Sequence, residues 1–555
     1  MNKSIKVICE NTHSTHMVEW GSSLADLALR VRTPESLPFL AAYVNNSIRE
    51  LDYRIAEPVT VKFVDISHFE GSRVYHRTLF LTLHKAVHDL YPAHRLRITQ
   101  SVSRGFYCEI EGVNSTPEVV AAIKARMDEL IAQGLPIVRH KLLREEAIEI
   151  YRRLGFEDKV AILTSRPNLY VTVYTLDDMA GYFYGALAPS TALLHLYDLR
   201  VYYNGIYIAV PCRTAPDTIE PMVTQDKMFD IFQEYKHWVD VMGVSTVGQL
   251  NRKIAEGDGS ELVKIAEALH EKKLAAVADT VAEEHRKRGA KVILVSGPSS
   301  SGKTTFSKRL GIQLRILGLE PVMISLDDYF LDRENTPRDE NGEYDFETID
   351  ALDIATFNDH LMRLLGGESV DIPRYDFLTG RRQWHGNALT LGPRSVLVVE
   401  GIHALNPRLT ADVPDGYKFR IYLSCFTSIS MDDMSRIATT DNRLIRRIVR
   451  DNAYRGADAT STLKRWQSVR RGEEKHIFPY QENADVMFNS SLFYELPVLK
   501  SHIVPLLYNV PDTVEEYGEA QRLLKFLDNF CEFGEKEIPP TSLLREFIGG
   551  SSFTY

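Results

Sequence analysis

Lys291-Val292-Ile293-Leu294-Val295-Ser296-Gly297-Pro298-Ser299-Ser300-Ser301-Gly302-Lys303-Thr304-Thr305 decides how the second half of the chain folds. Val292 to Val295 is an apolar run of the kind buried in a parallel sheet. The loop after it reads GxxxxGK[ST], and Phe306 to Leu317 continues at helical spacing. Strand, glycine loop and helix in that order build an anion cradle. Glycine lets the backbone wrap round phosphate oxygens, and successive N–H groups at the helix N-terminus attract negative charge. Lys303 is placed to reach the β and γ phosphates, and Thr304 to offer its hydroxyl to Mg²⁺. Gly297, Pro298, Ser299, Ser300, Ser301, Gly302, Lys303, Thr304 and Thr305 are therefore expected to hold ATP, with Mg²⁺ as its companion.

From Lys291 onward strands alternate with helices, the pattern of a parallel α/β sheet. Val322-Met323-Ile324-Ser325-Leu326 predicts a strand with Asp327-Asp328 at its C-terminal end, and Arg394 to Gly401 predicts another that ends on Glu400. That end of a parallel sheet carries the active site. Phosphoryl transfer to a hydroxyl needs a carboxylate to orient or deprotonate the hydroxyl, and carboxylate support for Mg²⁺. Asp327 is expected in the first role and Glu400, with Thr304, in the second. Asp328 reads equally well as a helix cap. Asp441 to Ala457 carries Arg443, Arg446, Arg447, Arg450 and Arg455. Arg443, Arg447 and Arg450 share one helical face, which suits a lid closing on a triphosphate.

A chain of 555 residues is too long for one ordinary domain. The pattern divides it into 1–64 (short strands round one helix), 65–215 (mixed helices and strands), 216–288 (a helical linker), 289–510 (the parallel α/β unit) and 511–555 (a helical tail). The fold class expected is thus multidomain α/β and α+β. The net charge of -10 argues against broad attraction to nucleic acid or anionic membrane. The five cysteines, Cys9, Cys108, Cys212, Cys425 and Cys531, are scattered and form no CxxC pair, so neither a disulfide framework nor a cysteine-based zinc site is expected. The first residues lack the apolar run of a signal peptide, and no stretch is apolar enough to span a bilayer, so a cytoplasmic setting is expected. A homo-oligomer is left open. His84 and His88 have the spacing of a metal-binding pair, without an evident third ligand.

Residues 291–500 resemble the uridine kinase and phosphoribulokinase group of P-loop kinases. The resemblance rests on Gly297 to Thr305, Ser325-Leu326-Asp327-Asp328-Tyr329-Phe330, Ile372-Pro373-Arg374-Tyr375-Asp376-Phe377, Val399-Glu400-Gly401-Ile402 and Arg446-Arg447-Ile448-Val449-Arg450-Asp451, in that order. It implies an ATP-dependent kinase acting on a small-molecule hydroxyl, with the 5′-hydroxyl of a nucleoside as the expected acceptor. It further implies that Asp327 activates that hydroxyl and that Phe330, Phe346, Tyr375 and Phe377 line the nucleoside pocket. Glu347 takes the place of an aspartate that holds the ribose hydroxyls. Arg447, Arg450 and Arg455 fall on the lid arginines, with Lys303, Arg447 and Arg450 joining Asp327 in catalysis. Two positions depart from the group: Gly380 stands in place of a base-reading histidine, and Ala457 in place of a second lid arginine. A relaxed or shifted base preference follows, with Arg465 or His385 as substitute readers. A non-nucleoside sugar or polyol is the alternative acceptor.

The front of the chain resembles threonyl-tRNA synthetase. Residues 1–64 are similar to its TGS (β-grasp) module. Residues 65–215 are similar to its editing domain through Leu83, Ala86, Leu90-Tyr91-Pro92, Gly105-Phe106-Tyr107 and Cys212-Arg213. Editing uses HxxxH and a later Cys-xxx-His. Here Arg77 and Leu81 occupy the HxxxH positions and Pro216 replaces the last histidine, so a degenerate editing-like domain is implied. Nucleic acid is not the expected partner, although these modules leave open an RNA- or ribosome-linked regulator with the P-loop as a nucleotide sensor.

Overall fold

The computed structural model describes residues 4–340, 342–377, 379–386 and 388–555. The first three residues of the expected 1–64 segment lie outside that set. In the C-terminal half, five parallel strands form one sheet in the order Glu320–Ser325, Ser395–Glu400, Val292–Ser296, Lys418–Ser424, Val486–Asn489. Both faces are covered, which is why Val292 to Val295 reads as an unbroken apolar run. Ile293 and Val295 face a layer holding Phe306, Leu310 and Leu314 of the helix Lys303–Ile316 and Leu274 and Val281 of the helix Gly259–Arg288. Val292 and Leu294 face the opposite layer, with Leu326, Tyr329, Phe357 and Leu361. Strand order reverses on either side of Val292–Ser296. A crevice therefore opens at its C-terminal end, where the loop to Lys303 begins.

The front of the chain is built on antiparallel pairing. Residues 4–64 form a mixed five-stranded sheet, Ser14–Glu19, Ser4–Cys9, Val59–Val64, Ala41–Val44, Ser47–Arg49, with the helix Leu24–Val31 packed on it. Its middle pair is parallel, which is the β-grasp arrangement. Ser23 caps the helix in a reciprocal box with Asp26. Two antiparallel sheets follow, with the long helix Phe69–Leu90 beside them.

Two expectations of the sequence needed correcting here. The residue pattern predicts a helix from Thr78 to Leu90; in the structure it starts at Phe69, because His68 caps it through Nδ1 and Gly71 lets the first turn lie against the Asp65 carbonyl. The run Val201 to Val210 reads from sequence as one strand; the structure makes it part of a hairpin of Asp198–Tyr202 and Gly205–Ala209 turning through Tyr203 and Asn204. Asn204-Gly205 was a turn signal inside an otherwise strand-like run.

The segments share a core. Tyr151, Ile162 and Val173 pack in one cluster with Ile445, Leu499, Phe526 and Phe547. An ion network reinforces the joint: buried Lys159 lies 3.5 Å from Asp158 and 3.4 Å from Asp432, and half-exposed Arg95 pairs with Asp433 at 2.5 Å. Burial, and then the neighbouring carboxylates, push Asp432 up to about 7 against the pull of Lys159. Among the described residues no helix is long and apolar enough to cross a membrane.

Candidate active site

The loop from Gly297 to Gly302 leaves the central strand and wraps into the helix Lys303–Ile316. Gly297 has no room for a side chain, since a β-carbon there would overlap the Leu423 carbonyl and come within 2.9 Å of Ser301 Oγ. Gly302 caps the helix at φ 89°, a left-handed conformation that suits glycine. Lys303 Nζ donates to the Pro298 carbonyl at 3.1 Å, across the mouth of the cradle. Burial lowers its pKa, while Glu400 and Asp327 oppose that shift.

Two strand ends bring carboxylates to the rim. Glu400 Oε1 accepts from Thr304 Oγ1 at 3.3 Å and from Ser325 Oγ at 3.2 Å. Burial pushes Glu400 up to about 7, and the charge of Asp327 adds to the shift. A divalent cation would relieve this crowding, and the hydroxyl–carboxylate pair Thr304–Glu400 is a hard oxygen donor set of the kind Mg²⁺ takes. Asp327 is half-buried, with its backbone N–H donating to Ser325 Oγ at 3.3 Å. Asp328 does something else. Its Oδ1 accepts the Tyr375 backbone N–H at 3.2 Å and so pins the segment carrying the aromatic wall.

That wall stands next to Asp327. Phe330 lies 6.0 Å from Phe346, 5.7 Å from Tyr375 and 6.3 Å from Phe377, ring centre to ring centre. Two polar atoms here are buried without a protein partner: Tyr375 Oη and Glu347 Oε2. Burial pushes Glu347 up to about 7, with Arg447 pulling the other way. An aromatic pocket holding a few buried polar atoms has the make-up of a small-molecule site.

The arginine-rich helix, Thr439–Tyr454, splits into two faces. Arg447, Arg450 and Arg455 converge on Asp451 at 3.3, 2.7 and 3.8 Å. Arg447 also donates to Ser299 Oγ at 2.8 Å, and Arg455 lies over the Phe377 ring at 5.8 Å. One carboxylate among three guanidinium groups leaves a positive field, and Arg455 is pulled down to about 10 by Arg450 and by burial. The face expected to carry Arg443 as part of the lid is different. Arg443 is fully buried, pairs with Glu473 through both ends of its guanidinium, and donates to the Ser299 carbonyl at 3.1 Å. Arg446 does the same about one helical turn along, pairing with Glu495 at 2.5 Å and donating to the Ser300 carbonyl at 3.4 Å. These two arginines buttress the cradle from behind. Sequence spacing placed them on a helix but could not say which face met protein.

Glu473, which also accepts the Ser299 N–H at 3.2 Å, was invisible in an ordinary charge run. Gly472, inside the helix Ala459–His476 and against Glu347, carried a signal: glycine in a helix interior marks close approach. Gly380 makes room for Arg333, whose Nε would lie 2.7 Å from a β-carbon there, and Arg333 Nη2 donates to the Phe377 carbonyl at 2.7 Å. His385 and Arg465 are exposed.

At the positions of the editing motif the side chains serve packing. Arg77 pairs with Glu70 at 2.5 Å and donates to the Ala186 carbonyl at 2.9 Å, and Leu81 is buried in an apolar cluster. Cys212 Sγ donates to Glu220 at 2.9 Å, and the Pro216 carbonyl faces His195. Both ring nitrogens of His84 face backbone carbonyls, those of Phe80 and Leu96, which leaves neither for a metal. Among the described residues no group of three or more His, Cys, Asp or Glu is arranged to hold a metal ion.

Residues 292–493 match the model of the Phosphoribulokinase / Uridine kinase family. Uridine kinase of Staphylococcus aureus (strain JH9) is 27% identical over 197 residues, which are 35% of this chain and 86% of that protein. The N-terminal region matches threonine–tRNA ligases; that of Clostridium kluyveri is 29% identical over 176 residues, 31% of this chain and 28% of the ligase. The chain thus spans under a third of the length of that relative. Among solved structures, one described as a possible uridine kinase from Bacillus stearothermophilus is 20% identical, with 39% of this chain and 100% of that chain covered at a TM-score of 0.26.

Proposed function

We propose that the unit 289–510 transfers the terminal phosphoryl group of ATP to a small-molecule hydroxyl, and that the acceptor is the 5′-hydroxyl of a nucleoside. The observation that carries this reading is the meeting of Asp327 with the Thr304–Glu400 pair at the mouth of the cradle, beside an aromatic pocket with unsatisfied polar atoms. Lys303 and the backbone of 297–305 bind the phosphates. Arg447, Arg450 and Arg455 stabilise the charge that develops on transfer. Asp327 orients the acceptor hydroxyl and takes its proton. Phe330, Phe346, Tyr375 and Phe377 enclose the acceptor, and Glu347 holds its hydroxyls. Thr304 and Glu400 would hold Mg²⁺, which supplies charge neutralisation at the phosphates when bound. The uridine kinase relatives support a nucleoside acceptor. The cysteines are free, in keeping with a reducing cytoplasm.

A second reading has one observation in its favour. The guanidinium of Arg333 lies against Gly380 and donates to the Phe377 carbonyl rather than to a carboxylate. An acceptor bearing a negative group, such as a sugar phosphate, would use it. A coupled ADP-release screen over nucleosides, polyols and pentose phosphates decides between the two. Asp327→Asn should lower kcat on the best acceptor by about 10²–10⁴-fold while ATP still binds. Turnover at the wild-type rate would remove Asp327 from the base role. Filter binding to bulk tRNA, with no phosphoryl transfer to any acceptor, would favour an RNA-linked role.

A further inference from the structure

The segment 542–555 lies against the phosphate cradle. Leu543 packs on Gly302, so that a β-carbon on that glycine would come within 2.5 Å of Leu543 Cδ2. Phe547 is fully buried beneath Arg446, whose guanidinium carbon is 5.0 Å from the ring centre. From this footing the short helix Arg545–Ile548 directs Glu546 at the first turn of the helix Lys303–Ile316. Glu546 Oε2 accepts the Thr305 backbone N–H at 3.2 Å and the Thr305 hydroxyl at 2.6 Å. Tyr555 Oη meets the same hydroxyl at 2.8 Å, and Lys308 Nζ donates to the Thr554 carbonyl at 2.5 Å.

A first-turn N–H is one of the donors with which a P-loop helix holds phosphate. A carboxylate on that donor occupies the place of a phosphate oxygen. It also sets a fixed negative charge where a triphosphate must arrive, and like charges at such range repel. The same charge bears on Lys303 and Glu400, so Glu546 is electrostatically part of the cradle.

We infer that the segment 542–555 is an autoinhibitory strap, in which Glu546 occupies the Thr305 donor of the cradle and nucleotide binds by displacing it. This rests on the reading of 297–305 as the ATP site. It makes the tail a competitor of the nucleotide rather than a passive cover. Glutamine at 546 keeps the shape and an acceptor oxygen but removes the charge.

The test is calorimetric titration of the full chain with ATP, comparing wild type with Glu546→Gln. A charge-assisted hydrogen bond is about twice as strong as a neutral one, so ATP should bind about five- to tenfold more tightly to the variant. Unchanged binding would overturn the strap, and weaker binding would make Glu546 a ligand of the nucleotide complex instead. No ATP binding by either protein would sink the cradle reading, and the strap with it. Hydrogen exchange on the wild type gives a second measurement that needs no variant. Amides of 546–555 should exchange faster with ATP bound, and equal or slower exchange is an overturning result.

Discussion

Replacing Gly472 by alanine probes the proposed acceptor pocket from behind. Gly472 sits in the interior of the helix Ala459–His476, and the Glu347 side chain rests on its bare backbone. A β-carbon would overlap Glu347 Cβ and stand 3.0 Å from its Cγ. Carbon atoms settle at about 3.5–4.0 Å, and the new β-carbon would lie 2.2 Å from Glu347 Cβ, so Glu347 must retreat by more than about 1 Å. Two effects on stability oppose each other. Alanine in a helix interior gains about 1 kcal/mol over glycine. Overpacking costs about 1–3 kcal/mol. The balance is a loss of at most about 2 kcal/mol, which a well-packed protein survives. The effect on catalysis should be larger. A shift of about 1 Å in a positioning group can cost about 10²-fold in rate. We expect acceptor kcat/KM to fall by about that factor, with KM for ATP nearly unchanged, because Gly472 faces Glu347 and not the cradle. Steady-state ADP release, with acceptor and ATP varied separately, measures both. A folded variant with unaltered acceptor kinetics would refute the placement of Glu347 against the acceptor.

Arg443→Met should destabilise the protein by about 3 kcal/mol, the low end for breaking a buried pair, because Arg470 remains 3.1 Å from Glu473 as a partial partner. Urea unfolding measures it, and a loss below about 1 kcal/mol would mean that the buttress is incidental. Glu400 provides a pH test. Its carboxyl is raised by burial to about 7 from an ordinary 4.5, so it is largely neutral on the acid side of that value and ionised above it. The Mg²⁺ concentration for half-maximal activity should therefore fall as pH rises through about 7, and Glu400→Gln should abolish that dependence. A wild-type requirement flat across that range would separate Glu400 from the metal. On stability the sign is the reverse: the folded state holds this proton more tightly than the unfolded chain. The contribution is fully present below about 4.5 and is lost as pH rises through about 7.

The strands of the parallel sheet were legible because burial on both faces leaves an unmistakable apolar run, as in Val292 to Val295 and Val396 to Val399. Gly297 to Thr305 was legible because phosphate binding by backbone demands glycines at set positions. The end of the helix Gly259–Arg288 at Gly289, φ 76°, follows from the same local chemistry. The Tyr203-Asn204 turn was missed because the flanking residues are strand formers on both sides.

The amino-acid sequence by itself determined what depends on neighbours along the chain: the cradle, the carboxylates at Asp327 and Glu400, the arginine-rich helix and the order of the modules. These features are written in spacing, and spacing survives without knowledge of the rest of the molecule. Tertiary structure alone decided which side of the helix Thr439–Tyr454 met solvent, and so separated Arg443 and Arg446, paired with Glu473 and Glu495, from Arg447 and Arg450. It alone brought Glu546 to Thr305, 241 residues away. A charged side chain has no local preference that reveals its partner. Whether it is a solvated surface group, a buried strut or a stand-in for phosphate depends on what the fold places within about 3 Å of it.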